Sequence, residues 1–102
     1  MLAALAGAAS FLVVRAGKVL IDGREVHLTP IEYRLLAILI RHAGKVTTHR
    51  QLLREVWGPS HVEDNHYVRI YMAQLRHKLE ANPAQPRYLL TETDIGYRFA
   101  EE

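Results

Sequence analysis

Three features of this 102-residue sequence predict an α+β fold, in which a short N-terminal antiparallel sheet precedes three helices and a C-terminal β-hairpin. The first is the Asp22-Gly23 dipeptide between Val19-Leu20-Ile21 and Val26-His27-Leu28, which suits the positive backbone angles of a tight hairpin. The second is a pair of helix-start signatures, Thr29 with Glu32 and Thr48 with Gln51, each setting a hydroxyl at the N-cap and a Glu or Gln three residues on. The third is the recurrence of Val68, Met72, Leu75 and Leu79 at spacings of four, three and four, one apolar stripe along a helix beginning at Asn65.

The elements follow from local punctuation. Met1 to Val14 carries no charge. It lacks the basic start of a secretion signal and is shorter than the ~20 residues of a membrane-spanning helix. Residues 1–10 are therefore expected to be a loose Ala-rich leader or linker, with residues 11–102 as one domain. Phe11 to Arg15 is expected as the first strand, and Phe11 to Leu28 as the small sheet. The first helix opens at Thr29-Pro30, with proline at its first position and Leu28 placed to staple onto Tyr33. Leu35, Leu36, Ile38, Leu39 and Ile40 make it the most buried element, and Gly44 lies near its stop. The second helix runs through Leu52, Leu53 and Val56 to Trp57 and ends at Gly58-Pro59. The third, with Asp64 or Asn65 as its cap, stops before Asn82-Pro83. Tyr88 to Thr91 and Tyr97 to Ala100 alternate like strands, with Gly96 near their turn. No internal repeat is present.

Three helices, the last amphipathic and basic, followed by a terminal hairpin, describe a winged helix-turn-helix, in which the third helix enters the major groove of duplex DNA. Around that helix His66, Arg69, Ile70, Ala73, Gln74 and His77 lie opposite the apolar stripe, with Arg76 and Lys78 on the flanks and no acid among them. Charge supports this. Residues 33–79 hold eight Lys/Arg against three Asp/Glu, a net of +5, so with a total of +2 the remainder sums to −3. Positive potential gathered on one surface attracts polyanions whatever the net charge. The absence of cysteine excludes a disulfide scaffold, a thiol catalyst and a Cys-type zinc site, and makes a cytoplasmic location the expectation.

The same residues admit plainer roles. Trp57 before a Gly-Pro break serves as a packing anchor, Tyr67 and Tyr71 lie on the helix flank nearer the core, and Arg98 between Tyr97 and Phe99 suits the wet side of a strand. His61, Asp64 and His66 cluster within six residues. Zinc catalysis, however, needs three convergent ligands and an open position, which a loop and a helix start do not guarantee. No nucleophile elbow or phosphate-binding glycine loop is present. Neither a catalytic site, a metal nor a cofactor is expected; the alternative to DNA binding is a protein-interaction module using the same helix face.

Four ordered blocks carry a resemblance: Leu28-Thr29-Pro30-Ile31-Glu32-Tyr33-Arg34-Leu35-Leu36; Arg50-Gln51-Leu52-Leu53 with Val56-Trp57-Gly58; Leu75-Arg76-His77-Lys78-Leu79; and Gly96-Tyr97-Arg98-Phe99. Together, across Val19 to Ala100, they resemble the effector domain of OmpR/PhoB-type response regulators. Arg69-Ile70-Tyr71-Met72 and Thr91-Glu92-Thr93 resemble the branch that regulates a potassium-transport operon. The resemblance implies a transcriptional regulator of a two-component system whose DNA contacts fall on His66, Tyr67, Arg69, Ile70, Tyr71, Ala73, Gln74, Arg76 and His77, and on Thr91, Thr93 and Arg98 in the wing. It implies an RNA polymerase contact on the loop that includes Gly58, Pro59, Ser60, His61 and Val62. A sensor kinase would act only through a receiver domain, for which 102 residues leave no room. A free monomer pairing head to tail on DNA is the implied assembly, with no membrane partner. Three departures from the family pattern stand out. Ala73 and Gln74 occupy positions that are basic in many relatives, Asp94 stands where glycine is usual, and the N-terminal sheet looks short for four strands.

Overall fold

The computed structural model describes residues 2–6 and 11–101. Here β1 (Leu2–Ala6), β2 (Phe11–Arg15), β3 (Lys18–Ile21) and β4 (Arg24–Val26) form one antiparallel meander in the order β1-β2-β3-β4. Two-residue turns join the last three strands. Ala16-Gly17 (φ 51° and 79°) and Asp22-Gly23 (φ 52° and 82°) both carry the paired positive angles that a type I′ hairpin requires.

The loose leader is corrected for Leu2–Ala6, which pair with β2 from Leu2↔Arg15 to Ala6↔Phe11, and the sheet has its four strands rather than a shortened set. A uniformly apolar Leu-Ala segment has no polar/apolar alternation to mark it as a strand; pairing with β2 instead covers an otherwise open sheet edge. The rest of the expected leader, Met1 and residues 7–10, lies outside the described residues.

The switch from sheet to helix occurs where the signals coincide. In α1 (Pro30–Arg41) the capping box closes in both directions, Thr29 N donating to Glu32 Oε1 (2.9 Å) and Glu32 N to Thr29 Oγ1 (3.3 Å). Leu35, Leu36, Ile38, Leu39 and Ile40 are buried, and Gly44 at φ 83° turns the chain beyond the helix while its N–H donates to Phe99 O.

A strand unmarked in the sequence follows. β5 (Val46–Thr48), β6 (Leu89–Glu92) and β7 (Gly96–Phe99) form a second antiparallel sheet in the order β5-β7-β6, so the terminal hairpin is anchored on both its inner strand and the core. Thr48 ends β5 and caps α2 (His49–Val56), accepting Gln51 N at 3.1 Å. A short 3₁₀ turn at Pro59–His61 leads to α3 (Asn65–Leu79).

One core unites both sheets and all three helices. Leu12, Val14 and Val19 from the first sheet meet the α1 residues, Leu52, Leu53 and Val56 of α2, and Val68, Met72, Leu75 and Leu79 of α3. Tyr88, Leu89, Tyr97 and Phe99 bring the wing into the same cluster. Among the described residues no helix is long and apolar enough to cross a membrane.

Candidate nucleic-acid interface

The α3 stripe is buried as its periodicity requires, which turns His66, Arg69, Ile70, Ala73, Gln74 and His77 outward; all six are exposed, Ile70 at 51%. Helical spacing alone produces this division. The start of α3 differs from expectation. Asp64 precedes the helix with no side-chain cap bond, and its Oδ2 meets His61 Nδ1 at 3.0 Å. The carboxylate is thus engaged by the loop histidine rather than by the helix amides.

Trp57 organises the same end of α3. It is half-buried at the C-cap of α2, and its ring packs against Tyr67 (centroids 6.0 Å apart) and Tyr71 (5.4 Å), while His66 lies 4.4 Å from Tyr67. Tyr67 and Tyr71 therefore support α3 from beneath its exposed face. The 58–62 loop sits beside this cluster, with Pro59 and Ser60 exposed and Gly58, His61 and Val62 half-buried. Glu63, just beyond it, pairs with Arg50 of α2 at 3.2 Å. His61, Asp64 and His66 do not converge as ligands, and among the described residues no group of three or more His, Cys, Asp or Glu is placed to hold a metal.

The cations divide into engaged and free. Lys78 Nζ reaches back 2.6 Å to Glu32 Oε1, whose side chain is only 2% exposed. Burial pushes the Glu32 carboxyl up, yet bonds from Lys78 and Thr29 together with the Lys78 charge outweigh it and hold the group below its ordinary value. Arg76 is turned toward the wing. Its Nε and Nη2 donate to Leu89 O (3.0 and 2.8 Å), Nη2 also donates to Thr91 Oγ1 (2.7 Å), and the guanidinium lies 5.6 Å from the Tyr97 ring centroid. Arg98 Nε donates to Glu92 Oε1 at 2.8 Å. Among the described residues Arg69 is the strong cation of α3 held by neither an ion pair nor a side-chain hydrogen bond, whereas Arg76 is hydrogen-bonded to neutral groups and keeps its charge unpaired. The structure thus brings Arg76 and Thr91 together, leaves Arg69, Gln74 and Thr93 exposed, and ties Arg98 to its own hairpin.

At the wing tip Asp94 occupies φ 64°, a left-handed conformation that Asp tolerates better than most residues. Its neighbour Ile95 is 55% exposed. A crevice of ≈ 480 Å³ opens where Ala73 and His77 face Asn82 and Pro83.

Glu80 was not anticipated. It is a buried acid at the C-cap of α3, where the helix dipole disfavours negative charge, and that misfit was the available sequence signal. Its carboxylate accepts the N–H groups of Arg87, Tyr88 and Leu89.

Comparison with known proteins agrees with this geometry. The family described as "Transcriptional regulatory protein, C terminal" matches residues 23–99. The chain is 68% identical over 75 residues to the KDP operon transcriptional regulatory protein KdpE of Escherichia coli (strain K12), covering 74% of this chain and 33% of that protein. It is 54% identical over 91 residues to the transcriptional regulatory protein KdpE of Mycobacterium tuberculosis (strain ATCC 25618 / H37Rv), covering 88% and 40%. The chain thus spans about a third of the length of the first relative and two fifths of the second. Among solved structures, the Klebsiella pneumoniae RstA DNA-binding domain in complex with RstA box is similar with TM-score 0.81 at 25% identity, over 95% of this chain and 96% of that one. The DNA-binding domain of CpxR from E. coli gives 0.76 at 28% identity, over 96% of each chain. This is not an enzyme family. The chain belongs to the family of transcriptional regulatory protein C-terminal domains, the winged-helix DNA-binding effector domain of OmpR/PhoB-type response regulators.

Proposed function

We propose that this chain reads duplex DNA with α3 in the major groove and the β6–β7 wing on an adjacent groove, as the effector part of a KdpE-like regulator acting in the cytoplasm. The observation that carries this reading is the exposed, acid-free face from His66 to His77 on a helix whose other side is locked in the core. Arg69 supplies the phosphate attraction, because an exposed guanidinium binds any sequence. Gln74 supplies discrimination by pairing bidentately with adenine, and Ala73 and Ile70 offer apolar contact to thymine methyls. His66 and His77 flank them with ring nitrogens able to hydrogen-bond. Thr93, and the Arg76–Thr91 pair through its remaining donors, meet the backbone from the wing. Arg98 braces the hairpin, and Tyr67 and Tyr71 act through the α3 backbone they support.

The likeness to KDP operon regulators supports a target near such an operon. RNA polymerase is the partner proposed for the 58–62 loop, and a sensor kinase acts through a receiver domain on the whole regulator. A single module buries roughly 600–1,000 Å² on DNA, which favours a free monomer that pairs head to tail on adjacent half-sites.

The test is selection from a random-sequence duplex pool, followed by footprinting on the selected site. Gln74→Ala is expected to cost ~1–3 kcal/mol on duplexes bearing the matching adenine and little elsewhere. Arg69→Ala is expected to weaken every sequence and lower the salt slope by about one. Moving the half-sites apart by about five base pairs, half a helical turn, should abolish cooperativity. Equal losses on all sequences for Gln74→Ala, or no selected site, would refute the reading.

Asp94 adds negative charge beside the proposed contacts. Asp94→Gly is expected to tighten binding, most visibly in about 50 mM salt where repulsion is least screened. Unchanged affinity there would place the carboxylate away from the duplex.

A further inference from the structure

We propose that Glu80 and Arg76 form a clamp that sets the angle between α3 and the wing, so that helix and wing meet DNA as one rigid reader; in this role Glu80 is a positioning residue. The inference rests on the DNA-binding reading above.

The two residues are one helical turn apart at the end of α3 and converge on Leu89, the first residue of β6. Glu80 Oε1 accepts Arg87 N (2.7 Å), and its Oε2 accepts Tyr88 N (2.9 Å) and Leu89 N (2.8 Å). Arg76 donates to Leu89 O through both Nε and Nη2 and continues to Thr91 Oγ1. Both main-chain groups of Leu89 are thus held by α3 side chains. Tyr88 O faces the inner strand, accepting Ala100 N at 2.8 Å, so the Leu89 groups face outward from an edge strand. Unclamped, they would be open.

Chain connectivity alone does not fix this junction. Residues 81–87, between α3 and β6, contain Pro83 and Pro86 and no helix or strand; apart from Arg87 N, which Glu80 itself holds, the loop is tied by Ala84 N to Asn82 Oδ1 and Gln85 N to Asn82 O, both internal to it. The hairpin itself has independent support, since β7 pairs with both β5 and β6, and Tyr88, Leu89, Tyr97 and Phe99 lie in the core. Loss of the clamp therefore changes orientation before it changes folding. A small rotation at Leu89 is carried along β6 to Thr93 and Asp94 at the tip, the residues that face DNA.

Glu80→Gln is the discriminating variant, because it keeps the shape but turns an NH₂ toward amides that also donate. In the free chain the Arg87, Tyr88 and Leu89 amides are expected to exchange roughly tenfold faster, as the loss of a charge-assisted bond implies. Residual dipolar couplings should show the wing reoriented against an unchanged α1–α3 frame. On a duplex selected by the wild-type chain, hydroxyl-radical protections from the wing should fade while those from α3 persist, with affinity down roughly tenfold. Should Glu80→Gln fail to fold, Arg76→Lys, which keeps the charge but loses the two-donor grip on Leu89, is expected to give the same uncoupling. A variant that binds with every wing protection and wing coupling intact overturns the clamp, as does equal loss of helix and wing protections with the wing orientation unchanged. A wild-type chain that selects no duplex instead removes the DNA reading on which the clamp rests.

Discussion

Gly96→Ala is expected to separate β5 from β7 and to cost about 3 kcal/mol or more, the upper range of overpacking. Gly96 is buried at the start of β7, opposite Thr48 on one side and Glu92 on the other. A Cβ there would lie 2.8 Å from both Thr47 C and Thr48 Cα, and closer still to Thr47 O. These are main-chain atoms, so no rotamer change relieves the clash, and the strand that must move also carries the cap of α2. The Tyr97 ring, packed edge-on against His49 at 5.4 Å, would shift with it. Urea unfolding with NMR of the wing amides measures the effect. Gly23→Ala is the control, since its Cβ meets nothing within 4 Å and only the positive φ of +82° opposes it, a strain of about 1 kcal/mol. A Gly96→Ala chain as stable as Gly23→Ala, with β5–β7 contacts retained, would show that the strands have room.

The features legible in the sequence were those whose cause is local. The Thr29–Glu32 box, the Asp22-Gly23 turn and the Val68–Leu79 stripe each rest on residues within a turn or two, and each formed. What escaped depends on distant partners. β5 has only three residues and exists because Val46, Thr47 and Thr48 meet Arg98, Tyr97 and Gly96 half a chain away. β1 lacks alternation and is defined by its pairing with β2.

The candidate site shows the same division. Periodicity alone put Arg69, Ala73 and Gln74 on one exposed face. A charge count, however, weighs Arg76, Lys78, Arg98 and Arg69 equally, whereas the fold commits the first three to Leu89 O, Glu32 and Glu92. Of the α3 cations Lys78 is neutralised by Glu32 and Arg76 is turned to the wing, which leaves Arg69 facing outward beside Gln74, to which the proposed reading gives discrimination. Glu80 escapes for a similar reason: an acid at a helix end marks an anomaly, but its partners are backbone amides that no side-chain pattern announces.

Glu32 and Lys78, 46 residues apart, give the chain an acid-sensitive contribution to stability. Glu32 serves two masters in α1, closing the capping box with Thr29 and receiving Lys78 from the end of α3. Its folded-state carboxyl lies below the ordinary value of 4.5, so the unfolded chain takes up this proton first. The stabilisation is therefore complete above that value and is lost as pH falls through the lower folded value. Glu32→Ala is expected to cost about 3 kcal/mol at pH 7, combining a lost cap with a broken buried pair whose lysine can still turn partly to water. Glu32→Gln, which retains a box-type acceptor, should cost less, and its deficit against wild type should shrink as the pH drops below about 4. Lys78→Met removes part of the opposition to burial. With the cation gone only the Thr29 bonds still lower the Glu32 carboxyl, so it rises from its wild-type position and the acid-sensitive part of the stability should shrink. Urea unfolding of the three variants at neutral and acid pH, with a ¹³C titration of the Glu32 carboxyl, reads all of these signs. A Glu32→Gln deficit that stays constant from pH 7 to pH 3, or a Lys78→Met chain with the acid profile of wild type, would show that the pair does not hold α1 to α3.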